Sequence, residues 1–216
     1  MSRLQKPAPP PDRAAALEQY RRRADLYDLE LQLLEPVRRE AIARLAPRRG
    51  EVVLDVGCGT GMSLPMLRDG VGARGRILGI EQSPDMIAKA RQRVAQHAWR
   101  NVDLLCSPVE SASIPVIADA AIFHFTHDIV RRDDALTNVM EHLKPGARVI
   151  SAGLKWAPPW AVLTNLFVLP AALHSVTSFE GLLEPWSMLA GFLGGFRVDS
   201  LMAGGVYIAS GTLARP

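Results

Sequence analysis

Val53-Leu54-Asp55-Val56-Gly57-Cys58-Gly59-Thr60-Gly61 reads as a strand that runs into a glycine loop. Val52 to Val56 is short and apolar, as a strand buried on both faces should be. Glycine lacks Cβ, so a loop built on it can take positive φ and bring backbone close to a ligand. The details separate this loop from its commoner kinds. A dinucleotide fold needs a glycine three places after the second glycine, and Met62 stands there. No Gly-Lys-Ser/Thr follows, which excludes a phosphate-binding nucleotide loop. Instead an acid, Asp55, lies two places before Gly57.

Beyond the loop, helix-like and strand-like runs alternate. Met62 to Arg68 is a short helix, with Pro65 tolerable in its first turn. Arg76 to Glu81 is the second strand. Ser83 and Pro84 then open a helix to about His97, as N-cap and first helical residue. Val102 to Cys106 and Ala118 to Phe125 are the third and fourth strands. Asp133 to Leu143 is a helix closed by Lys144-Pro145-Gly146, and Ala147 to Ala152 is the fifth strand. This alternation predicts an α/β fold, with a parallel sheet covered by helices on both faces. Phe196 to Met202 and Val206 to Thr212, joined through Gly204-Gly205, signal an antiparallel hairpin at the end.

On the amino side, Leu17, Tyr20, Ala24, Tyr27, Leu31 and Leu34 recur at helical steps, and Pro36 divides Ala14 to Ala46 into two helices. Residues 1–13, rich in proline and charge, are expected to be a disordered tail without a signal peptide. Residues 14–49 are expected to be N-terminal helices, and 50–216 one domain.

The 25 basic and 22 acidic residues leave a formal charge of +3, too little to call for nucleic acid. Arginines crowd the first fifty residues, among them Arg21, Arg22, Arg23, Arg38, Arg39, Arg48 and Arg49. The plain reading is solvated helix faces; the alternative is a surface for an anionic lipid, an acidic partner or nucleic acid. Two cysteines, Cys58 and Cys106, make neither a disulfide framework nor a zinc site, so a reducing cytoplasm and no metal are expected. Trp156 to Val176 is apolar and long, but Pro158, Pro159 and Pro170 interrupt it and Asn165 and His174 lie within it. It predicts an apolar lid segment at 156–176 rather than a membrane span.

Asp55 with Gly57, Gly59 and Gly61 resembles the first motif of the class I S-adenosylmethionine (SAM)-dependent methyltransferases. The resemblance covers roughly Tyr20 to Leu154 and recurs faintly in the final hairpin. It implies a Rossmann-like, seven-stranded, mostly parallel sheet. Asp55, Gly57, Cys58, Gly59 and Gly61 would lie along the methionine and ribose parts of SAM. Glu81, ending the second strand, looks like the acid that holds the ribose diol, since one carboxylate can accept two parallel hydrogen bonds. Gln82 and Met86 would flank the adenosine. Many relatives carry Gly-Asp-Ala-Glu after the third strand, with the Asp on the adenine amine. Here Ser107-Pro108-Val109-Glu110 puts a proline in that place, leaving Val109 backbone or Glu110 to read adenine. Within the family, the chain resembles the ubiquinone/menaquinone C-methyltransferases and bacterial phospholipid N-methyltransferases. In them a tyrosine-bearing N-terminal helix lies over the cofactor, the place Tyr20 and Tyr27 would take here.

Acceptors should bind beyond the carboxyl ends of the strands, where the fourth strand ends in His124-Phe125-Thr126-His127-Asp128. His127 or His124 could take a proton from an acceptor near neutral pH. Trp156, Trp160, Leu166 and Phe167 of the lid are expected to wall an apolar acceptor pocket. No Asn/Asp-Pro-Pro-aromatic motif follows the fourth strand and no Pro-Cys pair exists, so nucleic acid is not the expected partner. Ala157-Pro158-Pro159-Trp160 follows the fifth strand and lacks the polar first residue. The expected function is methyl transfer from SAM to a hydrophobic small molecule or lipid. Transfer of another SAM-derived group, such as aminocarboxypropyl, and a non-catalytic SAM-binding partner subunit are the alternatives. A peripheral membrane contact and a homodimer are also open readings of the apolar segment.

Overall fold

The computed structural model describes residues 34–175, 179 and 181–214; Tyr20, Tyr27 and the expected tail lie outside them, as does the Phe167 side chain. The first described helix, α1 (Glu35–Leu45), begins where Pro36 can sit in the first turn without losing a hydrogen bond. After it come β1 (Val52–Val56), α2 (Leu64–Val71), β2 (Arg76–Glu81), α3 (Pro84–Gln96) and β3 (Val102–Cys106). Then follow β4 (Ala118–His124), α4 (His127–Val130), α5 (Asp133–Glu141), β5 (Leu143–Leu154), α6 (Val162–Ser175), α7 (Ser187–Ala190), β6 (Leu193–Leu201) and β7 (Val206–Leu213). Single 3₁₀ turns occupy Val109–Ser111 and Met202–Gly204.

The strands form one seven-stranded sheet in the order β3-β2-β1-β4-β5-β7-β6. The first five run parallel, and β7 is antiparallel to both β5 and β6. Side chains alternate across it. Val53, Ile77, Ile122 and Ile150 pack with α1, α2 and Val168 of α6 on one face; Leu54, Leu78, Phe123 and Val149 pack with α5 and Leu189 of α7 on the other. Both faces are therefore dry, which explains why β1, β2 and β4 read as nearly unbroken apolar runs.

Several elements depart from the sequence reading. Lys144-Pro145-Gly146 is not a turn outside the sheet. The α5 helix ends at Glu141, Leu143 already pairs with Ala118, and the irregularity between Ala118 and Ala120 absorbs Pro145 and the positive φ (79°) of Gly146. β6 starts at Leu193, because the register shift between Gly194 and Arg197 lets the pairing run past a Gly-Gly pair that looked like a break. The backbone of α6 continues through Pro170. None of the described helices is long and apolar enough to cross a membrane.

Helix α1 is held against the sheet by a polar tie. Arg148 of β5 donates from Nε to Leu45 O (2.8 Å) and from Nη2 to Glu51 Oε2 (2.5 Å). It thus satisfies a carbonyl that every helix end leaves open. Arg148→Met, which keeps the stem, should lower unfolding free energy by about 1–3 kcal/mol. Urea unfolding would read this as a lower midpoint at unchanged slope; an unchanged midpoint would show the tie to be dispensable.

Candidate functional site: the cleft at the carboxyl ends of β1, β2 and β4

The glycine loop takes its shape from contacts on both sides. Gly57 N and Cys58 N both donate to Ile80 O (2.8 and 3.0 Å), folding the end of β1 over β2. Gly57 has φ 70°, and a Cβ built there would stand 2.4 Å from Thr126 Cγ2. No other residue fits. Gly59 and Gly61 also have positive φ (55° and 80°), and Gly61 N closes the turn on Cys58 O (2.9 Å).

Glu81 is buried at the end of β2. Its Oε2 accepts from Gly59 N (3.1 Å) and its Oε1 from Ser83 N (2.7 Å). Burial pushes its pKa up, while these backbone donors pull it down. An ionised carboxylate has about four lone-pair sites, so both oxygens keep capacity for a vicinal diol. Met86 is buried in the first turn of α3, after the Ser83 cap. Val109 is buried in the 3₁₀ turn, its carbonyl held by Asn138 Nδ2 (2.7 Å). Gln82 is half-buried. Glu110 is engaged by Arg132 Nη1 (3.2 Å). Cys58 is buried with its sulfur over Gly79, and burial puts its thiol well above the usual range.

Asp55 is the unusual group. It is 1% exposed, and neither carboxylate oxygen has a hydrogen-bond partner among the described residues. Burial lifts its pKa to about 7, with Arg38 opposing and Glu81 adding to the rise. Arg38 belongs to α1 and is 2% exposed, its Nη1 2.5 Å from Glu35 Oε2. The sequence reading placed it on a solvated face. The fold instead turns it inward, where it lines a small cavity with Asp55, Gly57, Gly59, His124 and Phe125. That cavity measures about 30 Å³, room for about one water.

His124, 9% exposed, lies at the end of β4. Its Nδ1 is 3.2 Å from Ser63 Oγ, and its Nε2 has no partner among the described residues. Burial, with help from the Arg38 charge, lowers its pKa to about 3. It is therefore neutral near pH 7 and does not titrate in the range expected of an ordinary histidine. His127, also buried, opens α4. Phe125 between them has φ 53°, a conformation seldom adopted by a bulky residue. Its N–H donates to Ala152 O (2.7 Å), and its ring is 6.0 Å from that of His124. Strain of this kind concentrates at functional sites.

The expected lid residues separate. Trp156 is half-buried on the core, its ring 6.0 Å from Phe179 and its N–H on Leu182 O (2.9 Å). Trp160 and Leu166 are 80% and 66% exposed. Arg38, Ser63 and Phe125 were not foreseen as site residues. Arg38 alone left a trace in the sequence, four places after the apolar Leu34 and three before Ala41, on the inner stripe of α1. No described cluster of three or more His, Cys, Asp or Glu is placed to hold a metal.

The strand order with its terminal antiparallel pair is the Rossmann-like fold of methyltransferases. Residues 53–146 match the family described as "Methyltransferase domain". The arsenite methyltransferase of Halobacterium salinarum is 34% identical over 141 residues, 62% of this chain and 34% of that protein. An aklanonic acid methyltransferase of Streptomyces sp. is 34% identical over 90 residues, 41% of each. The chain thus spans about a third to two fifths of the length of these relatives. The N-methyltransferase NodS of Bradyrhizobium japonicum, solved with S-adenosyl-L-homocysteine, aligns at a TM-score of 0.58 and 16% identity. That alignment covers 84% of this chain and 88% of NodS. The donor set fits SAM: an unpartnered buried carboxylate and a buried guanidinium for its amino-acid end, a glycine cradle, and Glu81 for its ribose.

The raised pKa of Asp55 has a definite sign in stability. Its folded pKa of about 7 exceeds the ordinary carboxylate value of 3.8. The folded chain holds a proton there that the unfolded chain releases, so this stabilisation is full below about pH 4 and is lost as pH rises through 7. Asp55→Asn, which cannot ionise, should flatten the decline of ligand-free stability between pH 4 and 7. Thermal melts across that range would refute the assignment if wild type and variant ran parallel.

Proposed function

We propose that this chain transfers the methyl group of SAM to a hydrophobic small molecule or lipid. The observation that carries the SAM half is the juxtaposition of Asp55, Arg38 and Glu81 around one glycine loop. An ammonium ion would give Asp55 the partner it lacks and pull its pKa down. Arg38 offers a carboxylate the opposite charge. Glu81 takes the diol. SAM, when bound, supplies an electrophilic methyl on a sulfonium, so the protein's task is chiefly to align a nucleophile and exclude water.

His124 has a neutral imidazole with Nε2 open, in the wall formed by Arg38, Asp55 and Phe125. Held through Nδ1 by Ser63, it can accept a hydrogen bond from an acceptor hydroxyl or amine and orient it. Its low proton affinity suits it to positioning more than to storing a proton. The hydrophobic class of acceptor is supported by the Phe125 ring in the same wall. The names of two relatives agree in kind, the aklanonic acid methyltransferase and a demethylmenaquinone methyltransferase of Lactococcus lactis, 28% identical over 118 residues.

Incubation with methyl-labelled SAM and lipid or metabolite extracts should release S-adenosylhomocysteine and label an organic-soluble product. Methylthioadenosine instead would assign aminocarboxypropyl transfer, and SAM binding without turnover in any extract would leave a partner subunit. His124→Ala should lower kcat about 10–100-fold, with SAM affinity by calorimetry within a factor of about three. The wild-type rate profile should show no limb near pH 6.5 belonging to His124; a limb there that vanishes in the variant would refute its neutral role.

A further inference from the structure

The far edge of the sheet carries a second feature, remote from the glycine loop. Among the described residues, β3 has a sheet neighbour on one side only. Ile77 N donates to Asn101 O (2.9 Å) and Ser107 N to Glu81 O (3.0 Å), so odd-numbered residues of this strand turn their backbone groups toward β2. By the alternation of a parallel ladder, the N–H and C=O of Val102, Leu104 and Cys106 point out to the open edge. Proteins usually blunt such an edge with proline, a bulge or inward charges. Here the β2–β3 register is unbroken from Val102 to Cys106, and the strand's one charge, Asp103, is held by Arg76 Nε (2.7 Å).

Beside this edge runs an open groove of about 400 Å³ between the end of α3 and β3. Val94, Ala98, Trp99 and Leu104 line it with apolar surface. Trp99 is fixed there, stacked on His97 (4.7 Å) with the Arg68 guanidinium 5.9 Å from its ring centre. The rim is cationic. Arg91 and Arg100 are exposed and make no ion pair with any described residue.

We infer that this edge takes up an extended acidic segment of a protein partner, which adds a strand to β3. The backbone groups of Val102, Leu104 and Cys106 supply the ladder. Alternate apolar side chains of the added strand enter the groove, and its carboxylates meet Arg91 and Arg100. A nucleic acid would match the charge but not the row of backbone donors and acceptors, and Trp99 is already stacked on His97.

The test uses the full chain and two fluorescein-labelled nine-residue peptides, one alternating valine with glutamate, the other valine with lysine. The glutamate peptide should bind with a micromolar Kd by anisotropy and slow hydrogen exchange at the amides of Leu104 and Cys106. The double variant Arg91→Glu, Arg100→Glu should weaken it about tenfold or more and strengthen the lysine peptide, with SAM affinity unchanged. Both positions are exposed, so circular dichroism should match wild type. The inference is overturned by absence of binding at millimolar glutamate peptide, by equal affinity for the two peptides, or by unchanged exchange at those amides. Displacement of the bound peptide by a single-stranded RNA oligonucleotide at lower concentration than unlabelled peptide would overturn it in favour of nucleic acid.

Discussion

Everything at the cleft depends on how closely the ends of β1 and β4 approach each other. Thr126, just past β4, presses on Gly57 so tightly that even a methyl group there would overlap it. The loop takes positive φ here and turns over β2, where Ile80 O holds two consecutive N–H groups. The same turn leads Gly59 N onto Glu81. One close approach thus sets the loop, Glu81 and the wall carrying His124 in fixed relation.

The electrostatics follow from that geometry. Three charged side chains, Arg38, Asp55 and Glu81, are withdrawn from water around one loop. Burying charge is costly unless it is compensated. Glu81 is compensated by backbone donors and Arg38 by Glu35, while Asp55 is not. The fold therefore keeps one carboxylate near its titration point, and a cationic group arriving there recovers part of the cost. His124 is the opposite case: burial beside Arg38 keeps it neutral, leaving a fixed acceptor. Two groups that titrate apart in water exchange their usual order here, with the carboxyl near 7 and the imidazole near 3.

The apolar segment after β5 divides between two environments. Trp156 and Val168 belong to the core, and Asn165 ties the intervening loop to itself through Ala157 N (2.9 Å) and Ala157 O (3.2 Å). Trp160, Leu163 and Leu166 stand in the open. Composition marks such a stretch as greasy as a whole; only the helix phase decides which residues face inward.

The sequence by itself determined the sheet and the glycine loop. Strands buried on both faces write themselves as apolar runs, and a chain that must pass beneath another writes a glycine. Val52–Val56, Gly57, Gly59 and Gly61 were legible for that reason, and Ser83-Pro84 was legible as a helix start. It missed the irregular entry into β5, where Pro145 and Gly146 look like a turn although Leu143 is already paired. Only the tertiary structure decided which charges are buried. Arg38 resembles Arg39 in composition and neighbourhood, yet one helical step separates a residue 2% exposed from one on the surface. Asp55, which lines the cleft with Arg38, lies 17 residues further along the chain, and the partner of Ser63 lies 61 away. The pKa values of Asp55 and His124 come from desolvation and from a charge on another element. Neither cause is written in local sequence, because both depend on what the fold places opposite.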